Sequence, residues 1–338
     1  MKRILIVTDS GRQQISGVAT ALSHRKEILE RKGFEVLMIH PDLFTTIPLP
    51  IYTDCKMAIF PSKKLEEMIK KFEPDYIHIE TENTLCASAR SLCVKNGWAF
   101  TSSYHTRIPE YIALKSSILE KVSRKYMRWM HSKSRRIMVT TPSLKKELEE
   151  MHFKNVVLVP LGVDTNLFKR NPFATPPKGL KKPIFTFLGR VSPEKNISMF
   201  LACDLPGSKL VIGDGAEKKK LQKEFKNKAL FVGFKKGQEL INLLSVSDVF
   251  VFPSKTETFG LVMIEALACG LPVAAYAVHG PKDIITSGFD GFLGENLKKS
   301  ALKCLKLKPG NCRKTAMKYS WKESTEKFIK NLVPIDAP

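Results

Sequence analysis

FPSKTETFGLVMIEALACGLPVAA, residues 252–275, decides how the rest of the chain is read. With the preceding VFV it opens as a buried strand, VFVFPS. A tight loop from Pro253 to Gly260 follows, then a helix from about Leu261 to Cys269 and a second apolar strand, LPVAAY. Two such strands joined through a helix belong to a parallel sheet. Gly260 ends the loop where a side chain would obstruct close approach of a ligand to the backbone. The helix start beyond it offers free N–H groups suited to phosphate. Glu265 lies one turn into that helix and Glu257 in the loop, so both carboxylates can face the same side. Carboxylates only accept hydrogen bonds and therefore suit the diols of a ribose or a hexose. An isolated pair would more often be a capping carboxylate and a solvated helical glutamate, since charged residues are mostly surface residues.

The same alternation runs outward in both directions. Upstream within the second half it reads PIFTFLG, a helix from about Asn196, KLVIGDG, a helix from Ala216, ALFVGF and a helix near Gln238 to Leu244. The first half repeats it from RILIVT through EVLMI, YIHIE, AFTSSYH and RIMVTT to NVVLVPLGV. Between Asp164 and Pro183 the pattern lapses into NPFATPPKGLKKP, which reads as a linker. The expected architecture is α/β, with two doubly wound Rossmann-like domains over residues 1–164 and 165–320. A last helix, 321–333, is free to pack back on the first domain. A length of 338 residues suits two such cores better than one.

Bulk composition narrows the chemistry. No apolar run approaches the roughly 18 residues of a membrane span. The short apolar start in MKRILIVTDSG meets Asp9 at once and reads as a first strand rather than a signal peptide. The seven cysteines are scattered without a CxxC, which fits a reduced, cytoplasmic setting, and the seven histidines show no ligand spacing, so no metal is expected. A net charge of +22 calls for an anionic partner: nucleic acid, an anionic membrane face or a phosphorylated substrate. Nucleic acid is disfavoured by the lack of its recognition motifs.

Further candidates lie at predicted strand ends. In FLGRVSPEKN, Arg190 and Lys195 could neutralise a diphosphate as its bond to a sugar breaks, or be two solvated loop charges. VIGDGAEKKKL and FVGFKKGQEL add Gly213, Gly233 and Phe234 at strand-to-helix turns. SSYHTRIPEY sets His105 at a strand end, where a lone histidine is more often structural than catalytic.

Taken together, these motifs resemble the retaining GT-B glycosyltransferases of family 4, in the α-mannosyltransferase and diacylglycerol glycosyltransferase branch. The similarity rests on the two glutamates with their AxAxGxPV-like run, on Arg190 and Lys195, on the YHTxxPEY string around His105, and on PDYIHIETEN, TPSLKKEL, GVDTNLF and GPKDII. It implies two domains facing an interdomain cleft and a nucleotide sugar as co-substrate, with no cofactor or metal. It implies that Glu265 holds the ribose, that Glu257 with Thr258, Phe259, Gly260 and Leu261 holds the transferred sugar, and that Arg190 and Lys195 bind the diphosphate. Val232 to Lys235 would meet the base, and His105 would face the sugar. Where the family has a glycine pair after the first strand, this chain has GRQQISGVAT, leaving Gly17 as the donor-side glycine. The implied reaction moves a hexose from GDP-mannose or a UDP-hexose to a lipid or glycan hydroxyl. Other readings are an epimerase or phosphorylase on the same fold, or a non-enzymatic binder of anionic surfaces.

ALKSSILEKVSRKYMRWMHSKSRR sets Ile118, Val122, Tyr126 and Trp129 at helical spacing, with Lys121, Arg124, Lys125 and Arg128 beside them. Such a helix can lie on an anionic bilayer at the cytoplasmic membrane face. The same stripe would equally serve as the core-facing side of a surface helix.

Overall fold

The computed structural model describes residues 1–11, 16–48, 56–105, 109 and 117–337. They form two compact units, Met1–Leu161 with Trp321–Pro338, and Gly162–Ser320.

The first unit is built on a parallel sheet. Its strands are β1 (Arg3–Val7), β2 (Glu35–Ile39), β5 (Tyr76–Ile79), β6 (Thr101–Ser103), β7 (Arg136–Val139) and β8 (Val156–Leu158), in the order β2-β1-β5-β6-β7-β8. A short antiparallel hairpin, β3 (Thr46–Pro48) with β4 (Lys56–Ala58), lies outside that sheet and has no counterpart in the sequence reading. Helices α1 (Gly17–Arg31), α2 (Ser62–Phe72) and α3 (Thr84–Asn96) make the crossovers with helices Ser117–His131 and Pro142–Glu150. The helix α1 starts where the Ser16 hydroxyl accepts from the Ala19 N–H at 3.1 Å, satisfying a donor that the first turn cannot. Strand β1 is buried over Ile4–Val7 because helices cover both faces of a parallel sheet.

The terminal helix, Trp321–Asn331, belongs to this unit. Phe328 is buried against Ile4, Ile6, Leu22 and Leu29, and Trp321 stacks on His24 at 4.9 Å. The following chain is pinned by Ala99 N–H donating to the Ile335 carbonyl at 2.8 Å.

The second unit carries β9 (Ile184–Leu188), β10 (Ser208–Ile212), β11 (Leu230–Gly233), β12 (Val249–Phe252), β13 (Val273–Ala275) and β14 (Gly291–Leu293). Their order is β11-β10-β9-β12-β13-β14, all parallel. The unit begins three residues ahead of the expected boundary, because the Val163 N–H donates to the Tyr319 carbonyl at 3.0 Å within it. The proline- and lysine-rich stretch after Asp164 is not a free tether, which corrects its reading as a linker. Asn171 N–H donates to Ser245 Oγ at 2.8 Å, Lys182 pairs with Asp248 at 2.8 Å, and Arg313 donates to the Thr165 and Phe168 carbonyls. Its prolines end regular structure without releasing the chain from the core.

Both sheets reverse direction at one place. Strand order runs outward one way from β1 to β2 and the other way from β5, and likewise from β9 to β11 and from β12 to β14. Loops leaving the carboxyl ends of the strands at such a switch point diverge and leave a crevice for a ligand.

Candidate active site

In the second unit the switch point lies between β9 and β12. The loop after β9 brings Arg190 and Lys195, and the loop after β12 brings Glu257. These loops are tied together: Asn196 Nδ2 donates to the Pro253 carbonyl at 3.1 Å, and Ser254 Oγ donates to the Glu194 carbonyl at 3.2 Å. Across the same gap Lys195 Nζ meets Glu257 Oε2 at 2.7 Å, both side chains largely buried. The two residues assigned separately to diphosphate and sugar thus neutralise each other. Glu257 also accepts the Thr258 N–H at 3.1 Å. Arg190 is half-buried in the loop beyond Gly189.

Glu265 stands in the helix Leu261–Ala268 directly behind this loop. It is half-buried, and its side chain makes no hydrogen bond to the described residues; burial pushes its carboxyl up to about 8. A solvated helical glutamate would not behave so. Gly260 caps the helix at φ +87°, and a Cβ there would lie 2.6 Å from Met263 Cε. Leu261 and Phe259 are buried, and Phe259 packs edge-on against Tyr319.

Gly213 has a packing duty that sequence reading missed. At φ +137° its Cβ would lie 1.9 Å from the Gly189 carbonyl, so only glycine lets the loop after β10 rest on the loop carrying Arg190. Gly233 ends β11, and Phe234 beyond it is 45% exposed.

In the first unit the switch point lies between β1 and β5, and β5 delivers a buried charge network that joins residues far apart in the chain. Arg25 Nη1 donates to both oxygens of Glu80 at 3.0 and 2.9 Å, with both side chains buried. Glu80 also meets His78 Nε2 at 2.7 Å and His105 Nε2 at 2.8 Å. Burial alone would raise the Glu80 carboxyl, but the charges of Arg25 and His105 hold it well below the usual carboxylate range. The neighbouring Glu82 has no such cation, and burial pushes it well above that range. Asp9, after β1, accepts the Asn83 and Leu85 N–H groups and so caps α3. A histidine and a glutamate inside the apolar run YIHIE were the signal for this network.

Gly17 is the first residue of α1, where an added Cβ would meet open space, so no packing demands glycine there. Residues 12–15 of that loop, and 106–108 and 110–116 of the segment after His105, lie outside the described residues.

The basic helix Ser117–His131 turns its apolar stripe outward, contrary to a core-facing role. Met127 and Met130 face the core, whereas Ile118 is 74% and Val122 58% exposed. Lys121, Lys125 and Arg128 are exposed beside them. Trp129 lies against the Arg90 guanidinium at 4.2 Å, Arg124 pairs with Glu120 at 2.8 Å, and only Tyr126 turns inward, donating to the Glu82 carbonyl.

Two doubly wound units, the second with the Lys195–Glu257 pair at its switch point and half-buried Glu265 in the helix behind, are the arrangement of a GT-B glycosyltransferase, and the comparisons with known proteins give the same class. The family model "Glycosyltransferase Family 4" matches residues 15–167 and "Glycosyl transferases group 1" matches residues 169–307. The chain belongs to the family 4 glycosyltransferases. It is 28% identical over 319 residues to the sulfoquinovosyl transferase SQD2 of Arabidopsis thaliana, an alignment covering 86% of this chain and 62% of that protein. A GDP-mannose-dependent alpha-mannosyltransferase of Mycobacterium tuberculosis is 27% identical over 86% of this chain and 83% of its own. An alpha-monoglucosyldiacylglycerol synthase of Acholeplasma laidlawii is 25% identical over 80% of this chain and 79% of its own. Among solved structures, sucrose-phosphate synthase from Thermosynechococcus elongatus superposes with a TM-score of 0.78 at 20% identity, covering 98% of each chain.

Proposed function

We propose that the protein transfers a hexose, with retention and in α linkage, from GDP-mannose or a UDP-hexose to the hydroxyl of a membrane lipid such as diacylglycerol. The observation that carries the donor half is the switch point of the second unit, where Lys195 and Glu257 sit at 2.7 Å and Glu265, in the helix behind, has no hydrogen-bond partner among the described residues. A diphosphate arriving there competes for Lys195, and Glu257 is released to accept hydroxyls of the sugar. Arg190 and Lys195 then offset the charge that grows on the leaving diphosphate. The departing phosphate takes the acceptor's proton, so no protein carboxylate acts as general base; His105 positions the sugar. No divalent metal is called for, because side-chain cations and helix N–H groups supply the positive charge. Relatives named for GDP-mannose and for a diacylglycerol product support the class of donor and acceptor.

Glu265 makes the donor half testable. With its carboxyl near 8, it is mostly protonated at neutral pH before the donor arrives. Ribose hydroxyls donating to it favour the anion, so binding releases a proton and affinity rises as pH climbs toward 8, by up to about tenfold per unit. Calorimetric titration with UDP-glucose and GDP-mannose, in excess chelator and in two buffers of different ionisation enthalpy, should show proton release for the true donor. Glu265→Gln should abolish the pH slope. Binding of neither nucleotide sugar, or binding only when magnesium is restored, would overturn this half.

The acceptor half rests on the exposed stripe of the helix Ser117–His131. No helix among the described residues is long and apolar enough to cross a membrane, so lipid contact would be peripheral, at the inner face. Burying Ile118 and Val122 would each contribute about 1.5–3 kcal/mol, and the flanking lysines add about 1 kcal/mol each near an anionic surface. Flotation with phosphatidylglycerol vesicles should recover most of the protein at low salt, and Val122→Glu should leave it in solution. Equal flotation with neutral vesicles would remove the electrostatic part of the proposal.

A further inference from the structure

The protonation of one buried histidine in the first unit can be read from its neighbours. Ser134 Oγ–H donates to the Arg136 carbonyl at 2.7 Å, and Ser102 Oγ–H donates to Ser134 Oγ at 3.0 Å. Ser102 Oγ therefore has only lone pairs left for His131 Nδ1, 2.8 Å away, so Nδ1 carries the hydrogen. Burial pushes this imidazole down to about 3, leaving Nε2 a bare lone pair. That nitrogen is buried with no hydrogen-bond partner among the described residues.

What it faces is Glu82 Oε1, at 3.9 Å and just outside hydrogen-bond reach. A carboxylate against an imidazole lone pair would be repelled, whereas a carboxylic acid is the donor that this nitrogen lacks. The surroundings of Glu82 agree. Asp9 and Glu80 add negative field, and Tyr126 and the buried His131 bring no cation. His105 commits its side chain to Glu80, and its backbone N–H reaches Glu82 Oε1 at 3.4 Å.

We infer that Glu82 is a protonated positioning residue: its carboxyl donates to His131 Nε2 and accepts the His105 backbone N–H, which fixes the strand end that presents His105. The inference rests on the proposal that His105 positions the transferred sugar. Losing the proton sets an anion against the Nε2 lone pair and loosens its hold on that strand end, so transfer declines on the alkaline side.

The test compares Glu82→Ala with Glu82→Gln, whose amide keeps an N–H donor and an acceptor oxygen without a titrating proton. Release of nucleoside diphosphate from UDP-glucose or GDP-mannose is followed over diacylglycerol vesicles. The alanine variant should lose about tenfold or more of kcat where the wild type is fully active, and the gap should narrow as the wild type falls at alkaline pH. The glutamine variant should restore turnover and run flat where the wild type falls. Melting temperature gives a reading independent of activity. A buried acid whose folded pKa is raised contributes stability that is full below its unfolded value, near 4.3, and is lost as pH rises toward the folded value. The glutamine variant should therefore gain in Tm over the wild type as pH rises. A glutamine variant that turns over like alanine, or that tracks the wild-type Tm at every pH, would overturn the inference. His105→Ala with unchanged kcat would instead remove the role of His105, leaving the Tm comparison to judge the shared proton.

Discussion

Lys195→Ala will lower kcat by roughly 10²–10³-fold, the loss expected when one preorganised donor to a developing anion is removed. In the proposed reaction that anion develops beside Lys195, which is carried by the loop after β9 that Asn196 and Ser254 join to the loop after β12. Its present partner is Glu257, and the alanine variant leaves that carboxylate with the Thr258 N–H. The structural cost of the lost pair lies between that of a surface and a buried ion pair, about 1–2 kcal/mol. The activity loss should therefore appear in a protein that still melts cooperatively. Steady-state turnover of the nucleotide sugar that binds in calorimetry measures it, and a kcat equal to that of the wild type would remove Lys195 from the leaving-group site. Glu257→Gln on the same background should cost less than it does alone, because each residue has already lost its counterpart.

The largest stability effect is expected at Arg25→Met. The guanidinium and Glu80 are both buried, at 2.9 Å, and Phe328 lies under the guanidinium at 4.3 Å. Methionine keeps the apolar contact with Phe328 but strands the Glu80 anion between two histidines. Removing one partner of a buried pair costs about 3–5 kcal/mol. For a unit of this size that corresponds to a fall in melting temperature of roughly 6–20 °C. Glu80 should recover part of the loss by taking up a proton, so the variant should be least impaired at acid pH. A Tm within a degree of the wild type would mean that the pair is not a structural keystone of the first unit.

Much of this was legible in the chain alone. FPSKTETFGLVMIEALACGLPVAA reads as strand, loop, helix and strand because a strand buried on both faces must be apolar throughout and a helix start needs its loop glycine. The hairpin β3–β4 escaped because its strands are only three residues long and carry no alternation. The stretch after Asp164 misled because proline and lysine mark the end of regular structure, not the absence of contacts; Arg313, far along the chain, holds it.

At the site the division is similar. Local pattern placed Arg190, Lys195 and His105 after strands and Glu257 and Glu265 in the loop and helix after β12, because strand and helix periods are properties of short segments; the family resemblance supplied their expected roles. Only the tertiary structure decided that Lys195 and Glu257 neutralise each other, that the stripe of Ile118 and Val122 points outward, and that Arg25, Glu80, His78, Glu82 and His131 meet around His105. Those meetings join residues up to 62 positions apart across parallel strands. Charge pairing and burial depend on which strands lie side by side, and strand order is set by the whole sheet rather than by any one segment of it.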